Sequence, residues 1–73
     1  MAKDDNAAVY RVTEVIGTST NSWEDAARNA VKVASKSLRD LRIAEISKLD
    51  VKIEDGKITQ FRARLALSFK YDA

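Results

Sequence analysis

The sequence predicts an α+β subunit of order β-α-β-β, a three-stranded antiparallel sheet curled around one helix in two layers. Three observations carry this. Along residues 59–71, Phe61, Ala63, Leu65, Leu67, Phe69 and Tyr71 alternate with Gln60, Arg62, Arg64, Ala66, Ser68 and Lys70, the period-2 pattern of a half-buried strand. Residues 22–41 repeat apolar side chains at helical spacing. Asp55-Gly56 stands between two strand-like runs, as a tight hairpin turn requires.

Taken in order, residues 1–7 are polar and read as a flexible tail, and residues 8–73 as one domain with no linker or internal repeat. Residues 9–16 are β-branched and aromatic enough for a first strand. Gly17-Thr18-Ser19-Thr20-Asn21 is expected to end it. Ser22 followed three residues later by Asp25 has the spacing of a capping box, with Thr20 and Asn21 as alternative caps. Glu24 and Asp25 then lie near the positive end of the helix.

Trp23, Ala26, Ala27, Ala30, Val31, Ala34, Ser37, Leu38 and Leu41 form the apolar stripe. Arg28, Lys32, Lys36 and Arg39 lie opposite. The second strand, residues 41–53, changes phase: Ala44 and Ile46 are even, whereas Leu49, Val51 and Ile53 are odd. One flat strand cannot bury both sets, so a bulge or bend is expected near Ser47-Lys48.

Composition narrows the function. A single domain of 73 residues buries too little surface to be comfortably stable alone. With no Cys or His, disulfides and the usual structural zinc sites are excluded as staples, which leaves oligomerisation. Thirteen basic residues against eleven acidic ones give a net charge of +2 with the signs interspersed, so no nucleic-acid footprint is expected. No signal-like or membrane-spanning apolar run is present, and a cytoplasmic protein is the default expectation.

Catalysis finds no support, and the chain is read as not an enzyme. Without His or Cys there is no Ser-His or Cys-His pair, and the Glu24/Asp25 and Glu54/Asp55 pairs are explained by cap and turn. Gly17-Thr18-Ser19 lacks the second glycine and the lysine of a phosphate loop. Residues 50–56 miss the alternating pattern of an EF-hand, so carboxylates would form a calcium site only by meeting across a symmetry axis. Trp23, in the first helical turn, reads as a core or interface anchor. The polar face of the last strand either stays wet or forms interfaces, with Arg62, Arg64 and Glu45 as candidates for intersubunit ion pairs.

Several short segments together resemble the dodecin family of small flavoproteins: Tyr10-Arg11-Val12 leading into Gly17-Thr18-Ser19, Ser22-Trp23-Glu24-Asp25-Ala26-Ala27, Leu38-Arg39-Asp40-Leu41, Ala44-Glu45, Phe61 and Ser68-Phe69. The resemblance implies a homododecamer of cubic symmetry that stores or sequesters flavin (FMN or riboflavin) in stacked pairs at subunit interfaces. By the same resemblance Ile43, Glu45 and Arg62 occupy the flavin-pocket positions. Ile43 stands where the family's stacking tryptophan is expected, and Arg62 where its ring-binding glutamine is expected.

Loss of an indole face removes about 1 to 3 kcal/mol per stacked ring by analogy with base stacking. Arginine also donates only, whereas glutamine donates and accepts. Some dodecin-like proteins without the tryptophan are associated with calcium. The alternative expectation is therefore a flavin-free shell with a calcium-binding or purely structural role, its metal ligands unknown.

Overall fold

The structure, a computed structural model, describes residues 9–70. Tyr71, the amino-terminal segment and the outer limits of the domain lie outside the described residues. Four elements follow in the expected order: β1 (Tyr10–Ser19), α1 (Trp23–Ala34), β2 (Leu41–Glu54) and β3 (Lys57–Lys70). They form one antiparallel sheet of order β1-β3-β2. The strand with the cleanest alternation is thus the central one.

Strand β1 runs past the expected stop at Gly17, which pairs with Ala63 within the sheet. The glycine is there for the helix. A Cβ at this position would stand 2.1 Å from the Ala26 carbonyl oxygen and 2.7 Å from the Ala30 Cβ. No side chain fits between strand and helix at that approach. Facing it, α1 presents Ala26, Ala30 and Ala34, one small residue per turn and all buried.

Ser22 caps α1 as expected: its backbone is extended, and its hydroxyl accepts from the Asp25 N–H at 3.0 Å. The reciprocal half of the box is replaced. The Asp25 carboxylate accepts instead from the buried Ser19 hydroxyl at 2.8 Å, while Ser19 Oγ accepts from the Asn21 N–H at 2.9 Å. The polar residues between β1 and α1 therefore form a closed network that fixes the entry of the helix.

The helix is shorter than its apolar stripe. It ends at Ala34, whose carbonyl accepts from the amides of Ser37 and Leu38 in a tight turn. Asp40 then adopts φ 57°, a left-handed conformation that reverses the chain into β2. Leu38 packs on the core from the connection and Leu41 from the start of β2. Arg39 lies beyond the helix, and Lys32 is the basic residue of its last turn.

The phase change in β2 is a bulge. Ile46 pairs with Leu65 and Lys48 with Arg64, so Ser47 is the extra residue, and its hydroxyl donates to the Arg64 carbonyl at 3.1 Å. Further irregularities occur at Arg42 and Thr59. The hairpin turn has positive φ at both central positions, Asp55 at 52° and Gly56 at 75°, the conformation that Asp-Gly favours.

Among the described residues the buried core consists of Ala26, Ala30, Ala34, Ala63, Leu65 and Leu67, of which only the two leucines are large. The chain is also long, 60 × 21 × 16 Å, with a radius of gyration of 15.6 Å. A compact domain of this size would measure about 11 Å. Much apolar surface is left outside that small core.

Candidate functional site

Because Ala63, Leu65 and Leu67 point at the helix, the even-numbered residues of β3 face the other way. The backbone register then places the neighbours on that open face row by row. Val12, Ser68 and Ile43 form one row; Glu14, Ala66 and Glu45 the next; Ile16, Arg64 and Lys48 a third; Thr18, Arg62 and Asp50 a fourth. An apolar row is thus followed by an acidic one and then by two containing cations.

Arg62 is engaged within its own chain. Its Nε donates to Asp50 Oδ1 at 2.8 Å, and a terminal nitrogen donates to Oδ2 at 3.3 Å. The two-pronged pair fixes the plane of the guanidinium. The Asp50 backbone is held in turn by Trp23, whose indole N–H donates to the Asp50 carbonyl at 3.0 Å. Trp23 meets Phe61 edge to face, with centroids 5.3 Å apart. The indole thereby ties the first turn of α1 to both strands of the hairpin, which explains why it stands where the sequence suggested an anchor.

The three expected pocket positions do not come together in one chain. Ile43 and Glu45 are close, in register with Ser68 and Ala66, and Ile43 is 59% exposed. Arg62 lies six residues from Ser68 along β3, about 20 Å at 3.3 Å per residue. A ligand shorter than that separation cannot touch both ends of this set within one chain. Asp50 was missed from sequence, because its pairing depends on a one-residue shift of register at Thr59.

On the open face a hollow of about 440 Å³ lies beside Glu14, Ile16 and Arg64, and Ile43 borders a small one of about 130 Å³ with Val31 and Leu67. The largest hollow, about 640 Å³, runs between β1 and α1 past Val15, Gly17, Asn29 and Val33. A second of about 380 Å³ lies between α1 and β2. Neither contains Ile43, Glu45 or Arg62. Among the described residues no three carboxylates gather to hold a metal ion, and no helix is long and apolar enough to cross a membrane.

Comparison with known proteins agrees with this geometry. The dodecin family model matches residues 9–72. A relative from Mycobacterium tuberculosis, calcium dodecin, is 45% identical over 64 residues, covering 86% of this chain and 89% of the relative. The structure of dodecin from Streptomyces coelicolor superposes with a TM-score of 0.87 at 40% identity, covering 93% and 97% of the two chains. The crystal structure of M. tuberculosis calcium dodecin, described as a calcium-chelating antigen with a calcium-binding site, gives 0.78 at 43% identity, covering 88% and 91%.

Proposed function

The chain belongs to the dodecin family, and on that premise we propose that it assembles into a homo-oligomeric shell, dodecameric by family resemblance, that binds calcium at carboxylates contributed by more than one subunit. The assembly is supported by the imbalance between a six-residue core and the exposed Val12, Ile16, Val33, Ile43, Ile46, Leu49, Ile53 and Ile58. Monomeric proteins seldom leave that much apolar surface uncovered. A second copy removes it from water.

Calcium as occupant is supported by the relative named for that ion and by the donor set on the open face. Calcium takes six to eight oxygen ligands in a flexible geometry, so carboxylates on a sheet face suit it once another subunit completes the shell. Glu14 and Glu45 flank the small side chain of Ala66 from the two outer strands. Asp50 is already occupied by Arg62. One chain alone supplies too few ligands, which is why the site requires the assembly.

Flavin is the second reading, favoured by family resemblance and by the exposed apolar row that Val12 and Ile43 form around Ser68. The residues present fit it poorly. Ile43 has no aromatic face to stack on the isoalloxazine ring, and the Arg62 guanidinium is turned toward Asp50. The role on either reading is binding and storage, with no bond made or broken.

One pair of titrations separates the two. Thermal unfolding is followed in chelator and in millimolar calcium, and FMN fluorescence is followed against micromolar protein. A rise in melting temperature with calcium and unquenched FMN is the expected result. Saturable quenching of FMN with calcium-independent melting would reverse the assignment.

A further inference from the structure

Pairing of β1 ends where Ser19 meets Phe61, yet the β2–β3 hairpin continues to Asp55 and Gly56. Its outer part is a two-stranded ribbon without a third strand beside it. Near the turn Ile53 and Ile58 sit directly opposite one another, 62% and 57% exposed. A bare ribbon is marginal in water, so an apolar cross-strand pair at its tip is a surface made for contact. Glu54 and Asp55 lead this tip, and Lys57 stands in register with Glu54.

The groove between α1 and β2 offers an apolar lining with two cations to such a tip. Ala27, Val31, Ala44, Ile46 and Leu65 form its floor, and Arg28 and Lys32 stand on its rim. The helix packs mainly over β1 and β3 and leaves the inner side of β2 partly bare, so that Ile46 is 49% exposed. A chain cannot fill its own groove: Ile46 and Ile53 are seven residues apart on one strand, about 23 Å. The hollow between β1 and α1 is larger, but its polar lining of Thr13, Thr18, Asn29 and Ser37 carries no positive charge to pair with the carboxylates of the tip.

We propose that the hairpin tip of one copy, anchored by Ile53 and Ile58 and led by Glu54 and Asp55, docks in the α1–β2 groove of a second copy between Arg28 and Lys32. The inference rests on the assembly proposed above and names the contact that builds it. Tip and groove are different surfaces, so the contact either repeats head to tail and closes into a ring when the rotation allows, or is exchanged mutually about a twofold axis. The contact also shields β2, an edge strand.

Sedimentation velocity over a concentration series tests the contact on the full chain. Ile53→Thr with Ile58→Thr keeps β-branching and removes apolar surface outside the core. Loss of such a central anchor pair raises the concentration needed for assembly at least about thirtyfold, with the far-ultraviolet spectrum retained where the variant is assembled. A second test is independent of the first: Lys32→Glu weakens assembly, and Glu54→Lys in the same chain restores it. Wild-type assembly by the threonine variant, or reversal without rescue, would overturn the proposed contact and leave the shell standing. A monomeric wild type would remove both.

Discussion

Gly17→Ala is the substitution whose consequence the structure determines most sharply. The added methyl carbon would stand 2.1 Å from the Ala26 carbonyl oxygen, 3.0 Å from the Ala26 carbonyl carbon and 2.7 Å from the Ala30 Cβ. Two of these neighbours are backbone, and the third is bonded directly to it. No side-chain rotation relieves the clash. The helix must lift off the sheet, which opens the contact of Ala26, Ala30 and Ala34 with Ala63, Leu65 and Leu67.

Overpacking typically costs about 1 to 3 kcal/mol, and a rigid carbonyl at this distance puts Gly17→Ala at about 3 kcal/mol or above. That is a large part of the roughly 5 to 15 kcal/mol that holds a domain folded. For a chain of this size it lowers the melting temperature by roughly 12 to 24 °C. Far-ultraviolet circular dichroism at one fixed protein concentration measures it, since assembly makes melting concentration-dependent. Gly56→Ala is the control: its φ is +75°, but nothing lies within 4 Å, so only about 1 kcal/mol of backbone strain is expected. A Gly17→Ala variant melting within 3 °C of wild type, or below no more than Gly56→Ala, would refute the close-packing argument.

Other outcomes follow from the same geometry. Ser22→Ala removes the acceptor for the Asp25 amide and costs about 1 kcal/mol by urea denaturation. Trp23→Phe keeps an aromatic ring against Phe61 but loses the hydrogen bond to the Asp50 carbonyl, for a further loss of about 1 kcal/mol on the same assay. Asp50→Asn breaks the ion pair with Arg62, yet both side chains are substantially exposed, so the expected stability change is under about 1 kcal/mol. Glu14→Gln with Glu45→Gln abolishes the rise in melting temperature that calcium produces, and leaves the melting temperature in chelator within about 4 °C, the shift expected from roughly 0.5 kcal/mol of surface change.

Legibility in the sequence followed the range of the interactions involved. The β3 alternation, the Ser22 cap, the Asp55-Gly56 turn and the bulge at Ser47 each depend on a few neighbouring residues, and each stands where the pattern placed it. Gly17 did not, because its reason is a helix turn nine residues away and locally a glycine followed by Thr, Ser and Thr looks like a stop. The stripe through Leu38 and Leu41 overran the helix. Those residues reach the same core from a loop and a strand, and burial alone does not distinguish the route.

The candidate site was less legible for a related reason. Counting back from the two-residue turn sets Asp50 against Phe61; the extra residue at Thr59 moves the register by one and sets it against Arg62. A single unpaired threonine thus decides whether the arginine is free for a ligand. The separation of Ile43 from Arg62 is a property of the folded strand, not of their spacing in sequence. What a site shared between copies contains depends on the surfaces that meet, and those are set by symmetry.

Light scattering on the purified full chain, at a protein concentration where the far-ultraviolet spectrum is that of the folded state, tests the central claim most directly. The account predicts one species whose mass is a closed multiple of 8.1 kDa, twelvefold for the family's shell. A folded, cooperatively melting species of 8.1 kDa itself would contradict it, because a six-residue core would then be sufficient and no shared site would exist.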